Sequence, residues 1–360
     1  NVFRDLGDLN KSELAQLKAI KINKGLARAY FSLSTLIPLG IKTKWQDKLF
    51  SESILDNKNP NEIVDIYFAR SNILHKEKKY MESAECLQNA NKIKINIKPS
   101  RPEIHLEKSK ILLSVSCRLD VSQIIREDPF QSIFIVGMPR SGSTLLESIL
   151  SLNNAVFDLG ETNIFEEAFL YWNEIKSTDE KYSLSNLYWN KVNISKRKLN
   201  IITNKMLYNY QYAGIIANQI KNAKIIHCFR NPLDNILSIY RANFSNGNEF
   251  ASSLVDCAKI YLDQEEVMTE YKNRFRTKIY DWNYDFLVSN PDKEIKALIS
   301  WLGWEWDESY LSPHLNRRSI STASSVQVRT QINSKSIGGW KNYHEMLQPA
   351  LDILTKNDKY

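Results

Sequence analysis

One short segment constrains the fold of this chain more than any other part of the sequence. An apolar run at residues 133–136 leads into a turn that contains two glycines, and apolar residues then recur at helical spacing. This pattern predicts a strand, a loop and a helix in that order. Gly137 and Gly142 have the Gly-x-x-x-x-Gly spacing of the first half of a P-loop. Backbone N–H groups of such a loop, together with the positive end of the helix, can surround a phosphate.

The loop departs from the nucleoside-triphosphate motif at one position. Ser143 stands where that motif requires a lysine. The cation of the loop is instead Arg140, whose forked guanidinium can hold one phosphate through two hydrogen bonds. The segment therefore predicts a phosphate site of a different kind, and the alternative is a tight strand-to-helix turn that carries an arginine by chance.

Size and charge indicate how many domains the chain can form and which kind of ligand it favours. The chain has 360 residues, which is enough for two domains, and its formal net charge is +7. The 48 basic residues are mixed with 41 acidic ones and form no long basic tract. This balance argues against a nucleic-acid partner and favours an anionic ligand.

Cysteine, histidine and apolar patterns add three expectations. The four cysteines are far apart and form no Cys-x-x-Cys pair, which predicts reduced thiols and a cytoplasmic location. The five histidines form no His-x-x-x-His pair, so no metal site is predicted. No apolar run approaches the roughly 18 residues of a membrane span. The sequence starts at Asn1, so a lost targeting segment is kept as an alternative.

Residues 1–128 are predicted to form an all-helical domain. Apolar residues recur at helical spacing over residues 11–39, which predicts helical structure that ends near Pro38. Residues 66–93 resemble the helix pair of a tetratricopeptide repeat, with packing positions at Ser71, Leu74, Tyr80, Ser83, Leu87 and Ala90. A connector is predicted at 95–102 and a last helix at 102–113. Since one repeat cannot bury its own faces, the domain either packs against its neighbour or binds a protein partner.

Residues 129–360 are predicted to form an α/β domain with a parallel sheet flanked by helices. Further strands are predicted at 155–159, 199–203, 223–229 and 278–280. Charged residues follow three of them, namely Glu161, Lys205 and Arg230. Because the carboxyl ends of parallel strands meet at one edge of a sheet, we expect these side chains to lie near Arg140. Taken alone, Glu161 is equally well explained as a residue in the first turn of a helix.

Two later segments complete the predicted site. Asn231 and Pro232 are typical of a helix start, and the helix they predict carries Ser238. The tail at residues 324–341 is polar and contains glycine, and a helix is predicted from His344. This tail is interpreted either as a loop that closes over a nucleotide or as an ordinary surface loop.

Together these residues resemble the sulfotransferase family that uses 3′-phosphoadenosine 5′-phosphosulfate (PAPS). The resemblance covers residues 129–344 and is closest to the branch of tyrosylprotein and bacterial tetratricopeptide sulfotransferases. It implies a sulfotransferase fold, with Glu161 as the general base and Lys205 beside the leaving group. It also implies a set of donor-binding residues: Arg140, Ser141, Gly142, Ser143, Thr144, Arg230, Ser238, Tyr284, Ser324 and Lys341.

The chain departs from the family pattern at two positions. Gly339 stands before Trp340 where the family usually has a basic residue, so Lys341 is assigned in its place. Asn163 stands where tyrosylprotein enzymes have an arginine, so their preference for acidic peptides is not transferred to this chain.

The implied reaction is the transfer of a sulfuryl group from PAPS to an acceptor hydroxyl, without a metal. A protein tyrosine, a glycan and a small molecule all remain open as acceptors. Two other functions stay open as well. One is a nucleotide-dependent kinase, which Ser143 and the lack of a convincing Mg²⁺ carboxylate disfavour. The other is a helical-repeat scaffold with an inactive nucleotide-binding domain.

Overall fold

Two kinds of architecture follow each other along the chain, helices up to residue 118 and a parallel sheet with flanking helices after residue 130. The computed structural model describes residues 2–36, 44–119, 130–175, 183–192, 201–245, 247–316, 318–320, 322 and 324–356. The predicted fold class is confirmed. The boundary predicted at residues 128–129 lies outside the described residues, so the division into two domains stays a prediction.

Seven helices form the first region as far as the structure describes it. In order they are α1 (Val2–Leu6), α2 (Leu9–Ile22), α3 (Ala27–Leu36), α4 (Lys44–Leu49), α5 (Pro60–Lys76), α6 (Tyr80–Ile97) and α7 (Pro102–Arg118). The helical stretch predicted over 11–39 is divided into α2 and α3 by a break between them, and residues 37–39 lie outside the described residues. There the side chain of Asn23 accepts a hydrogen bond from the N–H of Gly25 at 2.9 Å, and this local turn competes with helix continuation.

The helix pair predicted within residues 66–93 is present as α5 and α6. Asn59 and Glu62 form a capping box at the start of α5, and the hydroxyls of Ser71 and Ser83 lie 2.9 Å apart between the helices. The tetratricopeptide assignment stays a prediction. The connector is shorter than predicted because α6 continues to Ile97, and α7 continues past residue 113.

The sheet has five parallel strands in the order β2-β3-β1-β4-β5. They are β1 (Gln131–Gly137), β2 (Val156–Asp158), β3 (Ile201–Asn204), β4 (Ala223–Phe229) and β5 (Ile279–Asn283). Each overlaps a predicted strand; residues 199–200 of the third prediction lie outside the described residues. Six of the seven residues of β1 are buried, as expected for the centre of a parallel sheet that is covered on both faces.

Helices cover both faces of the sheet. They are α8 (Ser143–Leu150), α9 (Ile164–Ile175), α10 (Leu184–Val192), α11 (Ala213–Gln219), α12 (Pro232–Tyr240), α13 (Leu254–Phe275), α14 (Tyr284–Ser289), α15 (Pro291–Leu302) and α16 (His344–Thr355). Alternate residues of β1 enter different cores: Phe134 packs with Phe165 on one face, and Ile133 packs with Leu146 on the other.

The helical region shares a hydrophobic core with the sheet region. Phe68 of α5 and Leu87 of α6 belong to the same buried cluster as Leu237 of α12, Tyr261 of α13 and Leu347 of α16. Burial of these side chains depends on both regions, so the helical region packs directly on α12, the helix that starts after β4.

The predicted start of α12 is confirmed. The side chain of Asn231 accepts a hydrogen bond from the N–H of Asp234 at 3.1 Å, and Pro232 occupies the first turn. The four cysteines are free thiols. No helix within the described ranges is both long and apolar enough to cross a membrane.

Candidate active site

The loop between β1 and α8 requires its two glycines. Gly137 has a φ of 136°, and a Cβ there would lie 2.2 Å from the carbonyl oxygen of Cys228 on β4. Gly142 has a φ of 90°, and a Cβ there would lie 2.4 Å from the ring of Tyr284. Neither position accepts a side chain without strain. The sequence therefore folds this loop tightly against the ends of β4 and β5.

The start of α8 has N–H groups that an anion could bind. Gly142 is the N-cap residue and has no side chain that could bind the first N–H groups of the helix. The N–H groups of Ser143 and Thr144 have no partner within the helix, because they belong to its first turn. The helix dipole adds positive potential at the same point. These features fit a phosphate or sulfate group.

Arg140 connects three segments that are far apart in the sequence. Its Nε donates to Ser238 Oγ at 3.1 Å, and its Nη2 donates to Gln327 Oε1 at 2.7 Å. Its Nη1 donates to Ser324 Oγ. The structure thus brings together three predicted binding residues. It places the guanidinium at Ser238, on the side that the resemblance assigns to the 3′-phosphate.

The charge of Arg140 is unbalanced. Its three hydrogen-bond partners are neutral, and no carboxylate of a described residue lies within ion-pair distance. Burial, followed by the like charges of Arg230 and Arg241, lowers the pKa of Arg140 to about 10. The side chain stays charged at neutral pH. An anionic ligand would offset the free-energy cost of burying this charge without an acidic partner.

Arg230 lies just beyond β4 and is buried. Its Nη2 donates to the carbonyl oxygen of Ser336 at 2.8 Å, and its guanidinium lies over the ring of Tyr284 at 4.7 Å. Asp234 and Asp285 approach it only to 3.9 and 4.0 Å. Its Nε is enclosed and has no hydrogen-bond partner among the described residues. A bound phosphate oxygen could accept a hydrogen bond from this Nε–H group.

The tail lies at the same site. Asp234 accepts hydrogen bonds from the N–H groups of Gly338 at 2.7 Å and Trp340 at 3.0 Å, which holds the tail beside Arg230. Lys341 follows directly, but its side chain is exposed and makes no hydrogen bond or ion pair within the described part of the chain. Its assignment as a phosphate ligand stays a prediction.

The two predicted catalytic residues are in contact. Glu161 lies on the loop after β2, and Lys205 lies directly after β3. Lys205 Nζ donates to Glu161 Oε1 at 2.8 Å. The Lys205 side chain is 2% exposed, whereas that of Glu161 is 53% exposed. The carboxylate can therefore be reached from outside while the ammonium group beneath it is held in place.

A second carboxylate at this position was missed in the sequence. Glu147 of α8 lies below Lys205, with its Oε2 at 3.2 Å from Lys205 Nζ, and its side chain is 1% exposed. Arg318 donates to both Glu147 and Asp158. Burial raises the pKa of Glu147 to about 7, although Lys205 and Arg318 oppose that rise. The available signal was an acidic residue inside an otherwise apolar helix.

No group of three or more His, Cys, Asp or Glu side chains that could hold a metal ion occurs in the described part of the chain. The site brings together a helix start, the guanidinium groups of Arg140 and Arg230, and a lysine between two carboxylates.

Comparison with known proteins relates the chain to sulfotransferases. Residues 132–308 match the model of the sulfotransferase family. An "Uncharacterized protein" of Aquifex aeolicus is 28% identical over 320 residues, which cover 81% of this chain and 41% of that protein. This chain therefore spans less than half the length of that relative.

Two further proteins are similar to parts of this chain. A Caenorhabditis briggsae protein named "Putative protein-tyrosine sulfotransferase" is 22% identical over 243 residues, 58% of this chain and 80% of that protein. The solved sulfotransferase domain from the curacin biosynthetic pathway aligns with a TM-score of 0.47 and 17% identity, over 65% of this chain and 99% of that domain.

Proposed function

Residues 132–308 match the sulfotransferase family, and from this match we propose that the chain transfers a sulfuryl group from PAPS to an acceptor hydroxyl. The observation that carries the proposal is the contact between Lys205 and the exposed carboxylate of Glu161. A proton acceptor and a fixed cation are thereby paired at the sheet edge that also holds the start of α8. This is the combination that group transfer to a hydroxyl requires.

The residues at this edge fit a donor that carries phosphate at two places. We propose that the N–H groups of residues 141–144 bind the 5′-phosphosulfate. Arg230 and Ser238 bind the 3′-phosphate, and Arg140 lies between the two groups. The unused Nε of Arg230 and the unbalanced charge of Arg140 support this assignment. When bound, PAPS supplies a sulfuryl group that is activated by its bond to phosphate.

Each side chain beneath the donor then has a defined task. Glu161 accepts the proton of the acceptor hydroxyl, because its carboxylate is the exposed one. Lys205 donates to the oxygen on which negative charge grows as the bond to sulfur breaks. Glu147 is enclosed by Lys205 and Arg318, so its task is to hold Lys205 in place. Positioning and charge stabilisation account for the catalysis, as in phosphoryl transfer.

The acceptor is proposed only as a class, a hydroxyl on a protein tyrosine, a glycan or a small molecule. The name of the Caenorhabditis relative makes tyrosine peptides the first acceptors to test. A preference for acidic peptides is not carried over, since Asn163 stands where tyrosylprotein enzymes have an arginine. Incubating the protein with labelled PAPS and a cell lysate, and identifying labelled products by mass, would determine the class.

Calorimetry separates this function from the two alternatives. We expect binding of adenosine 3′,5′-bisphosphate (PAP), the product of the donor, without a metal ion. Binding of ATP only in the presence of Mg²⁺ would indicate a kinase, and binding of neither nucleotide would indicate a scaffold with an inactive domain.

A further inference from the structure

A third arginine lies beside the proposed 3′-phosphate site, and a residue of the helical region holds it. Arg241 follows α12 directly, three positions after Ser238, so the two residues lie on the same face of the helix. Its Nη1 lies 3.1 Å from Nε2 of His75, which belongs to α5. The Nε of Arg241 is enclosed and has no hydrogen-bond partner in the described part of the chain.

The hydrogen-bond chain around His75 has one consistent direction. A guanidinium can only donate, so Nε2 of His75 accepts from Arg241, and Nδ1 of the neutral ring carries the hydrogen. Nδ1 then donates to Tyr343 Oη at 2.8 Å. The tyrosine hydroxyl donates to Ser83 Oγ at 2.9 Å, and Ser83 donates to the carbonyl oxygen of Ser71 at 3.0 Å. The ring of His75 is thus held by one hydrogen bond at each nitrogen.

Burial and the neighbouring positive charges keep His75 neutral, so the ring gives Arg241 no counterion. Burial, followed by the charges of Arg241 and Lys76, lowers the pKa of His75 to about 3. No carboxylate of a described residue lies within ion-pair distance of Arg241, and the same holds for Arg140. Two neighbouring guanidinium groups without acidic partners favour a ligand that carries more than one negative charge.

His75 also touches the tail. Tyr343, its second partner, ends the 3₁₀ turn Gly339–Tyr343, whose start is held by Asp234. One imidazole therefore connects the arginine beside Ser238 with the segment that lies over Arg230. Both contacts cross from the helical region to the sheet region.

We propose that His75 is a positioning residue of the donor site, which holds Arg241 beside Arg140 so that the helical region completes the pocket for a 3′-phosphate. The inference rests on the proposed function, since it assigns one part of the same site. The ligand class is a nucleoside 3′,5′-bisphosphate. An adenine nucleotide without the 3′-phosphate does not use this contact.

Two substitutions at His75 separate its two contacts. In His75→Gln the amide oxygen reaches the place of Nε2 and can still accept from Arg241. In His75→Asn the shorter amide lies near Nδ1, so it can serve Tyr343 and leaves Arg241 without an acceptor. Calorimetric affinities for PAP and for adenosine 5′-monophosphate are compared for both variants and the unmodified chain.

We expect His75→Asn to weaken PAP binding about tenfold, the scale of one charged hydrogen bond, and to leave monophosphate binding unchanged. His75→Gln should keep the ratio of the two affinities within about threefold, less than one charged hydrogen bond. If His75→Asn lost affinity equally for both nucleotides, the ratio of PAP to monophosphate affinity would stay as in the unmodified chain. That result would overturn the inference.

A matched control is available at the same interface. His105 of α7 is also largely buried, and its Nε2 lies 2.6 Å from Tyr210 Oη. His105→Asn should lower stability without changing the ratio of the two affinities. Arg241→Gln should lower that ratio, and combining it with His75→Asn should add little, because both act through one contact. Additive losses would contradict the inference.

The two proposals fail in different ways. An unmodified chain that does not bind PAP overturns the proposed donor, and the role of His75 with it. An unmodified chain that binds PAP while His75→Asn binds it equally well overturns the role of His75 alone.

Discussion

Lys205 Nζ lies 2.8 Å from Glu161 Oε1, so two residues that follow neighbouring parallel strands meet at one edge of the sheet. The contact joins a buried cation to an accessible carboxylate, and the first turn of α8 lies at the same edge.

Arg230→Ala should weaken PAP binding by about 1.5–3 kcal/mol, the scale of a hydrogen bond to a charged group. Binding of adenosine 5′-monophosphate should change less, since that nucleotide lacks the 3′-phosphate. Calorimetry with both ligands measures the difference. Arg276→Ala is the control, because Arg276 is exposed and pairs with Asp281 on β5. Equal losses for both nucleotides in Arg230→Ala would remove Arg230 from the 3′-phosphate site.

Glu147→Gln should lower kcat by about tenfold and leave the KM for PAPS nearly unchanged. The buried lysine would then keep Glu161 as its only carboxylate partner, and its position under the leaving group would be less well defined. Steady-state kinetics measure both constants. Glu167→Gln, which alters an exposed pair with Lys191, should have no effect. A rise in KM with unchanged kcat would show that Glu147 serves donor binding instead.

Gly142→Ala should lower both stability and donor affinity. The new Cβ would meet the ring of Tyr284, and the φ of 90° is strained for alanine. Gly303→Ala is a matched control, since its φ of 77° is also positive but nothing lies within 4 Å of the added Cβ. Urea denaturation and calorimetry should show a larger stability loss at Gly142, and a loss of PAP binding at Gly142 alone. Equal behaviour of the two variants would mean that the loop tolerates a side chain.

Stability should fall as the pH drops from about 6.5 toward 4, in part through His105. Burial, followed by the charge of Lys108, lowers the pKa of His105 from 6.5 to about 4. Between these values the unfolded chain binds a proton that the folded chain does not, so acid favours unfolding. Urea denaturation at pH 7 and pH 5 should show a smaller decrease in His105→Gln. An identical decrease in both proteins would show that His105 is not neutral in the fold.

Much of the sheet edge could be predicted because its signals are local. The β-branched strand at 223–229 and the helix start at Asn231 and Pro232 are read from neighbouring residues. The expected approach of Glu161 to Lys205 followed from parallel strands ending at one edge. Local turn chemistry was also missed once, at Asn23, where a side chain ends α2.

The remaining contacts depend on tertiary packing. Glu147 was overlooked because nothing in the helix itself shows that a lysine from another strand lies over it. The contact between His75 and Arg241 joins helices from the two regions of the chain, and no spacing in the sequence connects them. Both involve buried charge, whose partners become apparent only in the folded structure.

The turnover of Glu161→Gln shows whether Glu161 accepts the proton of the acceptor hydroxyl. Glutamine keeps the shape of the side chain and loses its capacity to accept a proton. With an acceptor identified from labelled PAPS, release of PAP should fall by about 10² to 10⁴, mainly in kcat, while PAP affinity changes only a few-fold. Turnover close to that of the unmodified chain would contradict the account, because Glu161 would then have no part in proton transfer.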